Sequence, residues 1–177
     1  MSQRVIGHPT TYGVTVAQAK EQARILTDVE DDLVERHLAA ALAYCEHYTS
    51  RRFEPQVWEV VLDTFPAHEI RFPGRIVSVS SITYADEAGY QQLVDPATYV
   101  VDQVSSPDGW IIPIAGWPTP MVTVNAVRAV ATVADGTPPD MQQAIVMLAA
   151  HYYADREGAA IPEGVISILK RHIRYYI

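Results

Sequence analysis

Along this chain the apolar positions change period twice, from helical to alternating and back again. Over Asp31–Arg52 (DDLVERHLAAALAYCEHYTSRR), apolar or small residues recur at Val34, Leu38, Ala41, Cys45 and Tyr48, one face of a helix. A second stripe through Leu33, His37, Ala40 and Tyr44 makes the middle apolar almost all round. That pattern predicts a central helix packed by neighbours, not one wet along a side. Asp31 and Asp32 at its start and Arg51 and Arg52 just past its end match the sign of the helix dipole. Upstream, Met1–Gly13 is polar, with Gly7 and Pro9, and reads as an arm or extended lead-in. Thr15-Val-Ala-Gln18 reads as a capping box opening a helix to about Leu26, with Val16, Ala19, Ala23 and Leu26 as its buried stripe.

After Phe53 and Pro55 the pattern becomes extended. Val57–Thr64, a short piece at Glu69–Phe72, and the cleanly alternating Arg75–Tyr84 read as strands. Ala85–Gly89 is a hairpin-type loop with Gly89 suited to a positive φ. Tyr90–Val94, Tyr99–Asp102 and Trp110–Ile114 are further short strands, and Met121–Ala134 closes the region as a long one. The helical period returns at Thr137-Pro-Pro-Asp140: threonine as N-cap, proline at N1, a carboxylate at N3. This helix runs to about Asp155 with Ile145, Leu148, Ala149 and Tyr152 as its stripe. Pro162 opens a last helix through Val165, Ile168, Leu169 and Ile173 to the C-terminus. The expected class is α+β: about four helices, two N-terminal and two C-terminal, forming one layer from 14–52 and 137–177. A small antiparallel β subdomain is inserted at about 56–135, all within a single domain of 1–177.

Composition narrows the function classes. A chain of 177 residues can bury roughly 70% of its unfolded surface and needs no metal or disulfide staple. The single cysteine, Cys45, excludes an internal disulfide and reads as a small core hydrophobe. No apolar run approaches the roughly 20 residues of a membrane span, and the N-terminus has no signal-peptide core, so a soluble protein of a reducing compartment is expected. With a formal net charge of −8 and a pI near 5.1, the chain gains no counterion-release affinity for phosphate backbones. Such a surface suits a protein past which DNA slides without sticking. No phosphate loop, dinucleotide fingerprint, zinc-protease motif, CxxC or nucleophile elbow is present. Asp28, Glu30, Asp31 and Asp32 lack the glycine and the closing glutamate of a calcium loop and read as a solvated helix start. His151 and Asp155 share a helix face, but two ligands do not make a metal site. No enzyme, cofactor or metal is expected.

Docking chemistry is the remaining candidate. The tail Lys170-Arg-His-Ile-Arg-Tyr-Tyr-Ile177 is the one basic cluster, and it fits either a helix end offsetting its dipole or an anchor of Arg171, Arg174, Tyr175 and Tyr176 for a partner. Trp110 and Trp117, in the proline-rich WIIPIAGWPTP stretch, fit either subdomain core or an exposed patch.

Together these segments resemble the phage head–tail connector family (adaptor, or head-completion, proteins), including the branch often labelled "possible DNA packaging" proteins. The resemblance rests on Val14–Lys20, then Asp31-Asp32-Leu33, Ala39–Ala41, Tyr44–Glu46 and Thr49–Arg51. It continues through Trp58, Phe65-Pro66, Phe72–Asp86 with Gly89, Tyr99, Pro138, Ala144-Ile145 and His151–Glu157. It covers nearly the whole chain in order, and it is carried by the combination, since most of these are core and turn residues. One departure lies in Asn125–Ala134: an aromatic–glycine pair is expected before the third helix, and Ala134-Asp135-Gly136 stands instead. The resemblance implies a structural virion protein of the neck, made in the host cytoplasm. It would form a homo-oligomeric, twelve-fold ring under the portal protein, extend the DNA channel without sequence-specific binding, and offer a surface to stopper or tail-completion proteins. It implies no cofactor and no membrane contact. The helical part would form the ring, with the C-terminal residues named above meeting the portal. Asp86, Glu87, Tyr90, Trp110 and Trp117 would face neighbours or the tail. The alternatives are another neck component, a stopper or tail terminator, and a small metal-dependent enzyme.

Overall fold

The computed structural model describes residues 1–103, 108–155, 158 and 160–174. The chain divides into a β unit, Met1–Pro9 with Pro55–Asp135, and a helical unit, Thr10–Glu54 with Gly136–Ile177. Its class is α+β, with four α-helices and antiparallel sheets among the described residues.

The β unit contains β1 (Ser2–Gly7), β2 (Gln56–Leu62), β3 (Ile70–Phe72), β4 (Ile76–Ala85), β5 (Gln91–Leu93), β6 (Tyr99–Asp102), β7 (Gly109–Pro113) and β8 (Val127–Val133). One sheet has the order β1-β2-β8-β4-β5 and the other β3-β7-β6. Alternate residues of β2 (Trp58, Val60, Leu62) and of β8 (Val127, Ala129, Ala131, Val133) share one buried cluster with Ile70, Phe72 and Ile111 of the smaller sheet. Period-two side-chain alternation is what lets each strand give one face to this core.

Two sequence expectations change here. The N-terminal stretch is a strand: β1 pairs antiparallel with β2, Arg4 opposite Glu59. Its polar residues mark a wet sheet face, not a lack of pairing. Glu59, 3% exposed, is clasped by Arg4 at 2.5 Å and by Arg128 of β8 at 2.7 Å, so charges bridge the strands on that face. The long strand expected over Met121–Ala134 starts only at Val127. Asn125 takes a left-handed φ of 60°, and its N–H donates to Asp63 Oδ1 at 2.8 Å. That turn ends the alternation register before the pairing begins.

The helical unit contains α1 (Val16–Ala23), α2 (Asp31–Thr49), α3 (Pro139–Ala154) and α4 (Glu163–Lys170). The capping box forms: Gln18 N–H donates to Thr15 Oγ1 at 3.2 Å, and Thr15 N–H to Gln18 Oε1 at 2.8 Å. α1 then stops at Arg24, whose φ of 58° breaks the helix, so Leu26 leaves the expected stripe and is fully exposed. α2 buries Val34, Leu38, Ala41, Leu42 and Cys45 against Met141, Ile145 and Leu148 of α3 and Val165 and Leu169 of α4. The expected all-round packing of α2 is not met within the chain, because Arg36, Ala39, Ala40, Ala43 and His47 are exposed. Between the two faces, half-buried Tyr44 and Tyr48 stack at 6.1 Å between centroids, and His37 lies 6.4 Å from the Tyr152 ring of α3.

Thr137 does not cap α3. Pro138 holds that position and Pro139 follows, while the Thr137 hydroxyl donates to Glu54 Oε1 at 2.5 Å. The Glu54 carboxylate, largely buried, also accepts from the Thr11 hydroxyl. The Thr137 hydroxyl gives its proton to that carboxylate, and neither Pro138 nor Pro139 has an N–H to donate to its oxygen. Cys45 is fully buried, and burial pushes its thiol up to about 12. Alkylation of the native chain at pH 8 is therefore expected to run at least about 100-fold slower than in denaturant, because the thiolate is the nucleophile. Mass spectrometry of iodoacetamide-treated protein checks this, and equal rates would contradict the burial.

Candidate docking surfaces

The described part of the basic tail, up to Arg174, is pinned back onto the helical unit. α4 ends at Lys170, short of the expected C-terminus, and the following turn returns to satisfy exposed helix-end groups. Arg174 N–H donates to Thr49 O at 2.8 Å, and Arg51 Nε donates to His172 O at 2.8 Å. His172 Nε2 lies 2.8 Å from Asp140 Oδ2, with Arg171 Nη2 3.4 Å from the same oxygen. The bond to His172, more than any other contact, holds the Asp140 carboxyl below its usual range. A carboxyl depressed on folding stabilises the clasp at any pH above its unfolded value of 3.8, and this contribution is lost as pH falls through the lower folded value. The protection of the Arg174 amide against exchange, relative to its intrinsic rate, is therefore expected to fall below that pH in the native chain, and Asp140→Asn to lower it already at neutral pH. Unchanged protection in the variant would contradict the clasp.

Of the expected tail anchors, Arg171 is exposed and Arg174 is buried. Tyr175 and Tyr176 lie outside the described residues.

In the β unit, the loop between β4 and β5 is built by Asp86. Its Oδ1 accepts from Ala88 N–H at 3.0 Å and Tyr90 N–H at 2.9 Å, and its Oδ2 from Gln92 Nε2 at 2.7 Å. These donors, Gln92 first, lower its carboxyl. Gly89 takes the expected positive φ, 85°. Asp86 thus shapes the turn, and Glu87 and Tyr90 are exposed on it. Trp117 packs its ring parallel to Phe65, with centroids 4.9 Å apart, so it joins the margin of the β core. Trp110 on β7 is half-buried, with the Arg71 guanidinium 5.3 Å from its ring centroid.

Sequence reasoning missed other exposed apolar residues. Leu26 and Val29, in the link between α1 and α2, are 100% and 89% exposed, and Val122 and Val124 are 100% and 74% exposed. The helical period places Leu26 on a buried stripe, and the alternation places Val122 and Val124 in a strand. The usable signals were the acidic run from Asp28 and the asparagine at 125, both of which break periodicity. Among the described residues no three His, Cys, Asp or Glu side chains gather as metal ligands, and no helix is long and apolar enough to cross a membrane.

No protein-family model and no curated protein matches the chain. Solved structures do. A chain in the virion of a native gene transfer agent (GTA) particle superimposes with a TM-score of 0.79 at 21% identity, over 100% of this chain and 97% of that one. A chain in the neck of an empty GTA particle, resolved with C6 symmetry, gives 0.80 at 23% identity with the same coverage. A chain in the neck of a native GTA particle, resolved with C12 symmetry, gives 0.70 at 20% identity, again with that coverage. These likenesses establish a shared fold running end to end through both units.

Proposed function

We propose that this chain is a structural subunit of the neck of a phage-like particle, acting as the adaptor ring between portal and tail. The observation that carries the reading is the full-length likeness of fold to chains of GTA necks, with 100% and 97% of the two chains covered. C12 symmetry in one of those assemblies supports a twelve-fold ring of copies. Four helices beside a β unit favour the adaptor over a stopper or tail terminator, which are β-dominated. In this reading the protein catalyses nothing and binds no cofactor. Its net charge of −8 lets DNA pass through the ring with little adhesion. Arg171, Tyr175 and Tyr176 meet the portal, and Glu87, Tyr90 and Trp110 face the tail side.

The test is incubation of the purified full chain with portal-bearing, DNA-filled capsids of the same particle that lack tails, followed by sedimentation and electron microscopy. A ring of added density at one vertex is expected. Capsids that emerge with bare vertices would overturn the reading.

A further inference from the structure

We propose that the tip of the β unit around Tyr90, Met121, Val122 and Val124 docks a partner protein whose contact surface is apolar at its centre and bears Lys and Arg at its rim. The inference rests on the neck reading and deepens it, because that reading sets Glu87 and Tyr90 towards the tail.

Backbone bonds hold this patch out. Met121 N–H donates to Ala85 O at 2.8 Å, and Asn125 N–H donates to Asp63 Oδ1 at 2.8 Å. Both ends of residues 121–125 are therefore pinned, and Val122, fully exposed, and Val124 stand between the pins. Gly89 of the neighbouring turn lies beside Met121, since a Cβ built on it would be 3.9 Å from the sulfur. That brings exposed Tyr90 and Met121 to the same tip. Met-Val-Thr-Val is a sequence that suits a strand, yet it belongs to no strand among the described residues. Apolar side chains fixed in water on a pinned loop are preorganised for a partner that covers them.

Charge chooses that partner. Asp63 lines one open cleft with Met121, Val122 and Val124, and Asp86 and Glu87 belong to the turn of Tyr90. Among the described residues the partners of these carboxylates are neutral. Asp63 accepts from the Asn125 amide, Asp86 from two amides and Gln92 Nε2, and Glu87 stands exposed. Neutral donors leave the carboxylates their charge. Arg128, the next cation along the chain, is turned to Glu59 at 2.7 Å. A rim of three carboxylates repels nucleic acid and anionic lipid headgroups, and it repels the same tip of a second copy. A protein surface that surrounds aliphatic or aromatic side chains with Lys and Arg is matched at centre and rim alike.

The test uses tails purified from the same particle and two full-length variants, Val122→Ser with Val124→Ser, and Glu87→Lys, all at exposed positions. Both variants are expected to decorate tailless capsids as the unmodified chain does, while the rate of tail joining counted by electron microscopy falls at least about 10-fold. Val77→Ser, at an exposed position of β4, should leave joining unchanged. Joining by the unmodified chain should slow as salt rises from about 50 to about 300 mM, because screening weakens attraction between unlike charges. Joining at the unmodified rate by either variant, joining indifferent to salt, or a variant that is folded by circular dichroism but no longer decorates capsids would overturn the proposal. Capsids left bare by the unmodified chain sink the neck reading. The surface is then decided by co-sedimentation of the chain with tails alone: binding lost in both variants upholds it, and no binding sinks it.

Discussion

Replacing Phe53 by alanine is expected to lower the stability of the helical unit by about 3–5 kcal/mol. The ring is 1% exposed and is among the largest fully buried side chains, packed with the α2, α3 and α4 core. The cost depends on whether the surroundings can collapse into the space left behind. Here they are held. Phe53 N–H donates to the buried Glu46 carboxylate at 2.7 Å, and Phe53 O accepts from Gly136 N–H at 3.0 Å. The backbone therefore keeps its place and the cavity persists. Phe53→Leu, which refills most of the volume, should cost less than about 1.5 kcal/mol. Urea unfolding followed at a helical signal measures both, and a loss below 1 kcal/mol for the alanine variant would refute the account.

Gly109→Ala is the second large effect, on the β unit. A Cβ built at Gly109 would sit 2.3 Å from Ile76 Cγ1 and 2.7 Å from Gly74 O. The Ile76 side chain is fully buried and cannot swing away. The carbonyl is backbone, and it already accepts from Gly109 N–H at 2.8 Å. One methyl must push β7 off β3 or displace the turn at Gly74, at a cost of about 3 kcal/mol or more. Gly116→Ala is the control: no atom lies within 4 Å of its Cβ, and only its φ of 97° is strained. That variant should lose about 1 kcal/mol. Denaturation followed by tryptophan fluorescence separates the two, and equal losses would refute the account of Gly109, whose backbone φ is ordinary.

Much of the fold could be read from the residues because period and caps agree. The capping box at Thr15 and the glycine at 89 each carry a local physical rule that packing had no reason to override, whereas the alternation of Arg75–Tyr84 gives the strand but is interrupted by register shifts against β8 between Ile76 and Ser78 and between Val79 and Ser81. The misreadings share a different cause. Thr137 has the right residue for an N-cap, yet its hydroxyl goes to Glu54, more than 80 positions away in the chain. The N-terminal strand looks like an arm until Glu59 supplies the partner for Arg4. In both, a buried carboxylate remote in sequence decides, and no window of neighbouring residues contains it. The docking residues were legible only in part. Arg171 and Tyr90 are exposed as their chemistry suggests, whereas Leu26, fully exposed, falls on the helical period and reads as core.

The way the two units share the chain has a consequence for synthesis on the ribosome. The β unit is made of Met1–Pro9 and Pro55–Asp135, so its last strand, β8, is available well before the helical unit is finished. α1 and α2 are translated early, but their apolar faces pack on α3 and α4, which emerge last. Between those moments Leu38, Ala41 and Cys45 have no native cover. Sheet pairing in the nascent chain therefore precedes helical docking, and the early helices must wait through the whole synthesis of the β unit. A pause in translation once β8 has cleared the ribosome would leave a folded sheet carrying an unfinished helix pair, the state most exposed to chaperones and to premature association.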